Sequence, residues 1–407
     1  MQRPVVIVDP LSSGIELAPT FKARGIPAIA LTLTQDEWPE FGSQLRASDF
    51  MAIIPAQDGI VELVREYNPI AIIPGTEEGI PLAEMLTEAL LPHLGNDPKK
   101  SLHRSHKSFM QRALEEAGVP ALKTLHTSLE IEAEVWIREN QLGHAPLIIK
   151  PPSSSGSEMV FHIAAGSDWR KAFQTVLLET SIISQKKNET VVVQEQAIGT
   201  EYAVGTVSAN GKHHLAHLIR YHKTATGDRQ TVYDYVEFVP FEKESLGEVF
   251  EYTKRCLDAL GVRYGAAHTE IMLTENGPYL IESSARMIGG PVVGFARAAT
   301  GSSQADKLLE VYVDGGVQNE EFVFKKTVVP VFLKAVNRGR MTNIEVFEKA
   351  SELRSLLLKY IWVKNGDVVP QTVDYLTNIG IIALTGDRTA IFEDYQEIRA
   401  MERSLSI

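Results

Sequence analysis

The chain has 407 residues, 44% of them apolar and 23% charged, ordinary globular proportions at a length that calls for about two to four domains. A net charge of −12 argues against a nucleic-acid partner, and no apolar run nears the roughly 18 residues of a membrane span, so neither nucleic acid nor membrane is expected as a partner. The single cysteine, Cys256, excludes an internal disulfide; together with an N-terminus, MQRPVVIVDP, that lacks the layout of a signal peptide, it predicts a cytoplasmic protein.

The first hundred residues alternate apolar runs with helical periodicity. VVIVDP, PAIALTL, FMAIIPA and PIAIIPG read as buried strands, and DGIVELVREY and EEGIPLAEMLTEAL as helices. That order predicts an open parallel sheet with helices on its faces and ligands at the strand C-termini. No GxGxxG follows the first strand, so a dinucleotide site is not expected. The loop PGTEEG, residues 74–79, is the better place for a small substrate, with Glu78 as the candidate contact.

From Asn96 the composition turns basic, with Lys99, Lys100, His103, Arg104, His106, Lys107 and Arg112 read as one helix that no acid relieves before Glu115. Clustered like charge of this kind calls for an anion. Residues 121–184 read as a small α/β unit holding APLIIKPP, then SSSGSEM: Lys150 ends a buried strand just before Ser153, Ser154, Ser155, Gly156 and Ser157, small residues whose amides and hydroxyls can close over phosphates. In the next strands Gln194, Glu195, Gly199 and Glu201 interrupt an apolar pattern, and acids at a strand end suit an adenine amino group or a ribose. Tyr221, His222, Lys223 and Arg229 read as a polar loop. His213, His214, His217 and His222 come with neither cysteine ligands nor HExxH, so zinc is not expected.

After a helix over about 243–261 comes HTEIMLTENGPYLIESSAR, residues 268–286, a predicted β-hairpin. A three-residue loop of Glu275, Asn276 and Gly277 sets Glu270 opposite Glu282 and His268 opposite Ser284, with Met272 and Leu280 on that face and Thr269, Ile271, Leu273, Ile281 and Ser283 on the other. A two-residue Asn276-Gly277 turn would instead put Glu282 on the face of Ile271. Opposed carboxylates destabilise a hairpin unless a cation lies between them, and two hard oxygen ligands suit Mg²⁺ carried by nucleotide phosphates. MIGGPVVGFARAATG then reads as a glycine-rich turn and a helix. The C-terminal part, from about residue 322, reads as strand VVPVFLKA, helix VFEKASELRSLLLKY and strand IGIIALT.

Four of these features, in this order, resemble the ATP-grasp superfamily of carboxylate ligases: HKSFMQRALEEAGVP with Lys107, IIKPPSSSGS with Lys150, QEQAIGTEY, and HTE with ESSAR. PGTEEGIPLAE, GAAHTE, MIGG, GRMTNI and VKNGDVV further resemble bacterial L-amino acid ligases that make dipeptides. The resemblance implies an α/β ATP-grasp fold: a parallel-sheet pre-ATP-grasp domain over 1–96, an ATP-grasp domain over 97–320 with its lid at about 121–190, and a C-terminal α/β unit over 321–407.

By the same resemblance, Lys107 and Lys150 hold ATP phosphates and Ser154, Ser155, Gly156 and Ser157 cover them. Glu195 and Ala197 take adenine and Glu201 the ribose. Glu270 and Glu282 hold Mg²⁺, or Mn²⁺ in its place, while Arg286 steadies the transferring phosphoryl group. The pattern departs from the superfamily at Ser284, where asparagine is usual; a serine hydroxyl can still ligate the metal or hydrogen-bond a metal-bound water, so Ser284 joins Glu270 and Glu282 as a metal residue. Glu78 and His268 are candidates to line the substrate pocket, and the amides near Gly289 and Gly290 to hold an oxyanion. The implied reaction activates an amino-acid carboxylate as acyl-phosphate and couples it to an amine, giving ADP and phosphate; the reading admits a homodimer. Its rivals are a phosphotransferase and a nucleotide-binding protein with impaired catalysis.

Overall fold

The computed structural model describes residues 2–33, 45–154, 156–181, 187–226 and 229–407. Its strands are β1 (Val5–Val8), β2 (Ala28–Thr32), β3 (Ala52–Pro55), β4 (Ala71–Pro74), β5 (Thr124–Thr127), β6 (Leu147–Lys150), β7 (Phe161–Ile163), β8 (Val191–Glu195), β9 (Thr200–Ala209), β10 (Lys212–Thr226), β11 (Arg229–Phe238), β12 (Gly265–Thr274), β13 (Gly277–Ser284), β14 (Val328–Leu333), β15 (Gly339–Arg340), β16 (Leu356–Ile361), β17 (Val368–Val369) and β18 (Gly380–Thr385). Two compact units emerge: Met1–Ala121, Ala203–Leu218 and Pro240–Phe324 form one, and Leu122–Tyr202, Ile219–Val239 and Lys325–Ile407 the other.

The first unit opens with the expected parallel sheet, in the order β3-β2-β1-β4. Successive β1 side chains point to opposite faces. Val5 and Ile7 pack with Leu17, Phe21 and Ile73, and Val6 and Val8 with Ile29, Leu31, Val64 and Leu86. Both faces are therefore covered, which explains the unbroken apolar run. Beside it, β13, β12, β9 and the start of β10 neighbour one another in that order.

Between β9 and β10 the packing leaves no slack. A Cβ on Gly205 would lie 2.2 Å from the His217 ring, whose burial holds its pKa down at about 3. Gly205→Ala is expected to lose about 1–3 kcal/mol through overpacking, measured as a lowered midpoint in denaturant unfolding.

The basic run is two elements, not one helix. A 3-10 helix spans Pro98–Arg104 and an α-helix Lys107–Glu116. Arg104 is 2% exposed, donating to the Glu84 carboxylate at 2.6 Å and to the carbonyls of Leu260 and Asp97. Lys100 donates to the Ala259 carbonyl, and Arg112 pairs with Glu116. Most of this charge is thus answered by the protein itself, and the sequence hid much of it because Glu84, Ala259 and Leu260 are distant in the chain.

The second unit holds the antiparallel sheet β5-β8-β6-β7. The helices Glu130–Glu139 and Arg170–Leu178 cover it through Ala133, Ile137, Phe173 and Val176, packed with Val191 and Val193. It also holds β11-β14-β18-β16. Two expectations fail here. The stretch around Tyr221, His222, Lys223 and Arg229 is no loop but a long β10–β11 hairpin with register shifts. The predicted helix over 346–360 is a 3-10 helix, Ile344–Glu352, followed by β16 paired to β18. The helix Arg388–Arg403, N-capped by Asp387, pins this sheet through buried polar groups: Arg399 and Lys334 both donate to Asp234 at 2.7 Å.

Candidate active site

In the first unit the predicted hairpin places Glu270 opposite Glu282 and His268 opposite Ser284, the pairs expected. The path to that register differs. Glu275 and Asn276 alone form the turn, since Thr274 pairs with Gly277, and the register shift that restores Glu270↔Glu282 falls between Glu270 and Ile271. That shift is a β-bulge: the extra residue on β13 flips the alternation. Leu280 therefore pairs with Ile271 and both are 0% exposed, which takes Leu280 off the face assigned to it from the sequence.

A bulge leaves backbone groups outside the ladder, and buried ones need partners. Here side chains supply them. The Leu280 amide donates to the Tyr252 hydroxyl at 2.9 Å, and the Leu280 carbonyl accepts from Gln111 Nε2 at 2.7 Å. Gln111 lies one turn after Lys107, on the same face of the helix Lys107–Glu116, and both are buried. The helix that grips the bulge thus delivers Lys107 Nζ to Glu282 Oε2, 2.8 Å away. Burial works against the Lys107 ammonium, but Glu282, Glu77 and Glu270 outweigh it and hold its pKa above the usual lysine value.

Arg286 follows the hairpin and donates to the Glu77 carboxylate at 2.7 Å and to the Met287 carbonyl. Burial opposes its charge too, and Glu77, Glu282 and Glu78 restore it. Glu77, next to the predicted Glu78, was not singled out from the sequence, because only the fold shows which of two adjacent acids meets Arg286. Glu78 is titrated upward, chiefly by burial, with Glu77 and Asp9 adding to the effect. Asp9 is raised for the same first reason, partly offset by a hydrogen bond from Thr76. The Gly290 amide donates to Ser12 Oγ at 2.8 Å, so it is already engaged, and a Cβ on Gly289 would lie 3.6 Å from that same oxygen.

His268 Nε2 lies 3.4 Å from Glu270 Oε1. His268 Nδ1 and the facing Ser284 Oγ are buried with no hydrogen-bond partner among the described residues. No group of three His, Cys, Asp or Glu side chains that could hold a metal occurs among the described residues. Two opposed carboxylates with an orphaned hydroxyl beside them nonetheless fit a hard cation that brings further oxygens with its ligand, and these residues fit Mg²⁺ on that basis.

The second unit carries the remaining predicted residues, except Ser155, which lies outside the described residues. Lys150 ends β6, 3% exposed, with Nζ 2.9 Å from Gln194 Oε1. Gln194 is oriented in turn by its donation to Thr124 Oγ1. Ser154 precedes, and Gly156 and Ser157 form, a turn with φ of 64° and 65° at the latter two. The Glu195 carboxylate accepts from the Lys123 amide at 2.7 Å, tying β8 to β5, and Ala197 follows in the segment before β9.

Glu201 is held by Lys223 Nζ at 2.7 and 2.9 Å, with that ammonium about 5 Å above the rings of Tyr221 and Tyr233. Burial first, then Lys223 and Lys150, push the His162 pKa down to about 4. Lys223 and His162 therefore join this group. The sequence placed Lys223 in a loop, and the signal that would have found it is the alternation of β10, which points Tyr221 and Lys223 to one face.

Residues 143–294 match the ATP-grasp domain model. Over 98% of its length the chain is 26% identical to dapdiamide A synthase of Enterobacter agglomerans, covering 95% of that protein. In fold it resembles an L-amino acid ligase from Bacillus licheniformis, with a TM-score of 0.77, 15% identity and 98% of both chains covered. It also resembles carboxyaminoimidazole ribonucleotide synthase from Aspergillus clavatus in complex with ATP, with a TM-score of 0.72, 14% identity and 100% and 99% covered. The fold is thus the ATP-grasp fold, a parallel-sheet N-terminal domain followed by antiparallel sheets and helices. These likenesses support an ATP-grasp carboxylate–amine ligase. No helix among the described residues is long and apolar enough to cross a membrane.

Proposed function

We propose that this ligase activates an amino-acid carboxylate as its acyl-phosphate and joins it to the amine of a second amino acid, giving a dipeptide, ADP and phosphate. The observation that carries the reading is the convergence of Glu270, Glu282, Lys107 and Arg286 around one hairpin. Two carboxylates and two buried cations suit a reaction in which negative charge moves between oxygens.

In this reading Lys107 leaves Glu282 for a phosphate oxygen, and Arg286 leaves Glu77 for the phosphoryl group in transfer. Both contacts are charge-assisted, so a phosphate can take either cation without burying an unpaired charge. Glu270 and Glu282, with Ser284 beside them, would hold Mg²⁺, which supplies Lewis-acid neutralisation of phosphate charge. Mn²⁺ offers similar oxygen-ligand chemistry. Lys150, fixed by Gln194, binds a phosphate, and the loop with Ser154, Ser155, Gly156 and Ser157 covers it. Adenine lies against Glu195 and Ala197. With the Glu195 carboxylate on the Lys123 amide, the backbone of this segment is what remains for the base. Glu201 takes the ribose.

The substrate carboxylate attacks the γ-phosphorus and ADP leaves; the amine then attacks the acyl carbon and phosphate leaves. Glu78 and Asp9, acids whose pKa values desolvation raises, suit an amino group of the first substrate. His268 lines the acyl side, and the backbone at Gly289 and Gly290 bounds the oxyanion. The domain limits 1–96, 97–320 and 321–407, a cytoplasmic location and a homodimer complete the proposal. A screen of amino-acid pairs by phosphate release, with mass spectrometry of the products, tests it. Phosphate release is expected to require both a carboxylate and an amine; a stable phosphate ester as product would overturn it in favour of a phosphotransferase.

A further inference from the structure

The loop after Lys150 carries a strained residue. Ser157 has a positive φ, in a region that a serine occupies at a cost, and a contact from outside the loop helps to retain it. The contact is with a distant part of the chain in the same unit. The Gly156 carbonyl accepts from the Tyr375 amide at 3.3 Å, and the Leu376 and Tyr375 side chains lie 3.7 Å from where a Cβ on Gly156 would sit.

That partner segment is built to be stiff. Thr377 Oγ1 accepts the amides of Val373 and Asp374, the Asp374 carboxylate accepts the Thr377 amide and hydroxyl, and Thr372 Oγ1 accepts the Ala335 amide. The Tyr375 ring stands edge-on to Tyr233 and Phe332, with centroids 6.1 and 5.8 Å apart. Tyr233 in turn lies 4.9 Å beneath the Lys223 ammonium, and Lys223 holds Glu201. One aromatic cluster therefore touches the phosphate loop on one side and, on the other, the lysine that holds the acid assigned to the ribose.

We infer that Tyr375 and Leu376 are positioning residues of the nucleotide site: they hold the loop at Gly156 and Ser157, and through Tyr233 they fix the Lys223–Glu201 pair. This rests on the nucleotide roles proposed above for that loop and for Glu201. It gives the C-terminal segment a part in nucleotide binding that its sequence, without charged or nucleophilic groups of its own aimed at phosphate chemistry, did not disclose.

The test uses the full-length protein with Leu376→Ala, Tyr375→Leu and the conservative Tyr375→Phe. Leu376 is 42% exposed, so its truncation opens no core. Without nucleotide, amide hydrogen exchange over residues 150–160 is expected to quicken about tenfold in Leu376→Ala and Tyr375→Leu. With substrates, KM for ATP is expected to rise about fivefold to tenfold while kcat changes less, since a binding contact is what is lost. Tyr375→Phe keeps the ring and is expected to behave as wild type. Unchanged exchange in the loop overturns the inference, as does faster exchange with an unchanged KM for ATP, which would mark a purely structural contact. Failure of the ligase reading would show differently, as wild-type protein that does not turn over ATP, and the exchange measurement does not depend on that outcome.

Discussion

Glu282→Ala is expected to lower ATP turnover by about 10³-fold or more, the scale of removing a group that handles charge in the transition state, while the protein stays folded. Glu282 combines three relations that no other acid here shares. It faces Glu270 across the hairpin, it pairs with Lys107 at 2.8 Å, and it helps keep Arg286 charged. Its side chain is 22% exposed, so truncation opens a surface position and not the core. Lys107 retains Glu77 and Glu270 nearby, which limits the cost of losing one partner. Phosphate release under saturating substrates, alongside a thermal melt, separates the two effects. Turnover within a few-fold of wild type would remove the hairpin from the chemistry. Glu282→Gln sharpens the test by keeping the shape and removing the charge.

Arg104→Ala should act oppositely, on stability. Removing a buried guanidinium takes one donor each from a carboxylate and two carbonyls, of which Glu84 keeps Ser101 and Asp97 keeps the Lys100 amide, at a cost of about 3–5 kcal/mol for breaking such a pair. The partners come from three places in the first unit: Glu84 on the helix Ile80–Leu90, Asp97 before the 3-10 helix, and Leu260 after the helix Lys243–Ala259. A large fall in denaturant midpoint is the expected result. A variant that folded normally and lost affinity for ATP would instead return Arg104 to the anion-binding role that the basic run first suggested.

The hairpin shows how far residue order carries and where it stops. The identities HTE and ESSAR pointed to a carboxylate pair, and the pairing of Glu270 with Glu282 is what the sequence predicted. The turn and the bulge were not readable, because two compensating local choices give the same register at the acids. A bulge depends on whether Tyr252 and Gln111 are at hand to satisfy the Leu280 backbone, and those residues lie on separate helices. Lys223 was lost for a related reason: a strand rich in polar residues resembles a loop until its neighbours in the sheet are known.

By itself the sequence determined the parallel-sheet start, the strand-borne Lys150, the order of the lysine and carboxylate motifs, and with them the resemblance to the ATP-grasp fold, because buried strands and charged groups must be written into residue type. The tertiary structure decided which charges gather at the carboxylates of the hairpin and which are closed in elsewhere in the protein. Arg104 and Lys107 look alike three residues apart in a basic run, yet one is closed in by Glu84 and two carbonyls and the other turns to the carboxylates. That choice is set by which acceptors the fold brings within hydrogen-bonding reach, and reach is a property of the folded chain.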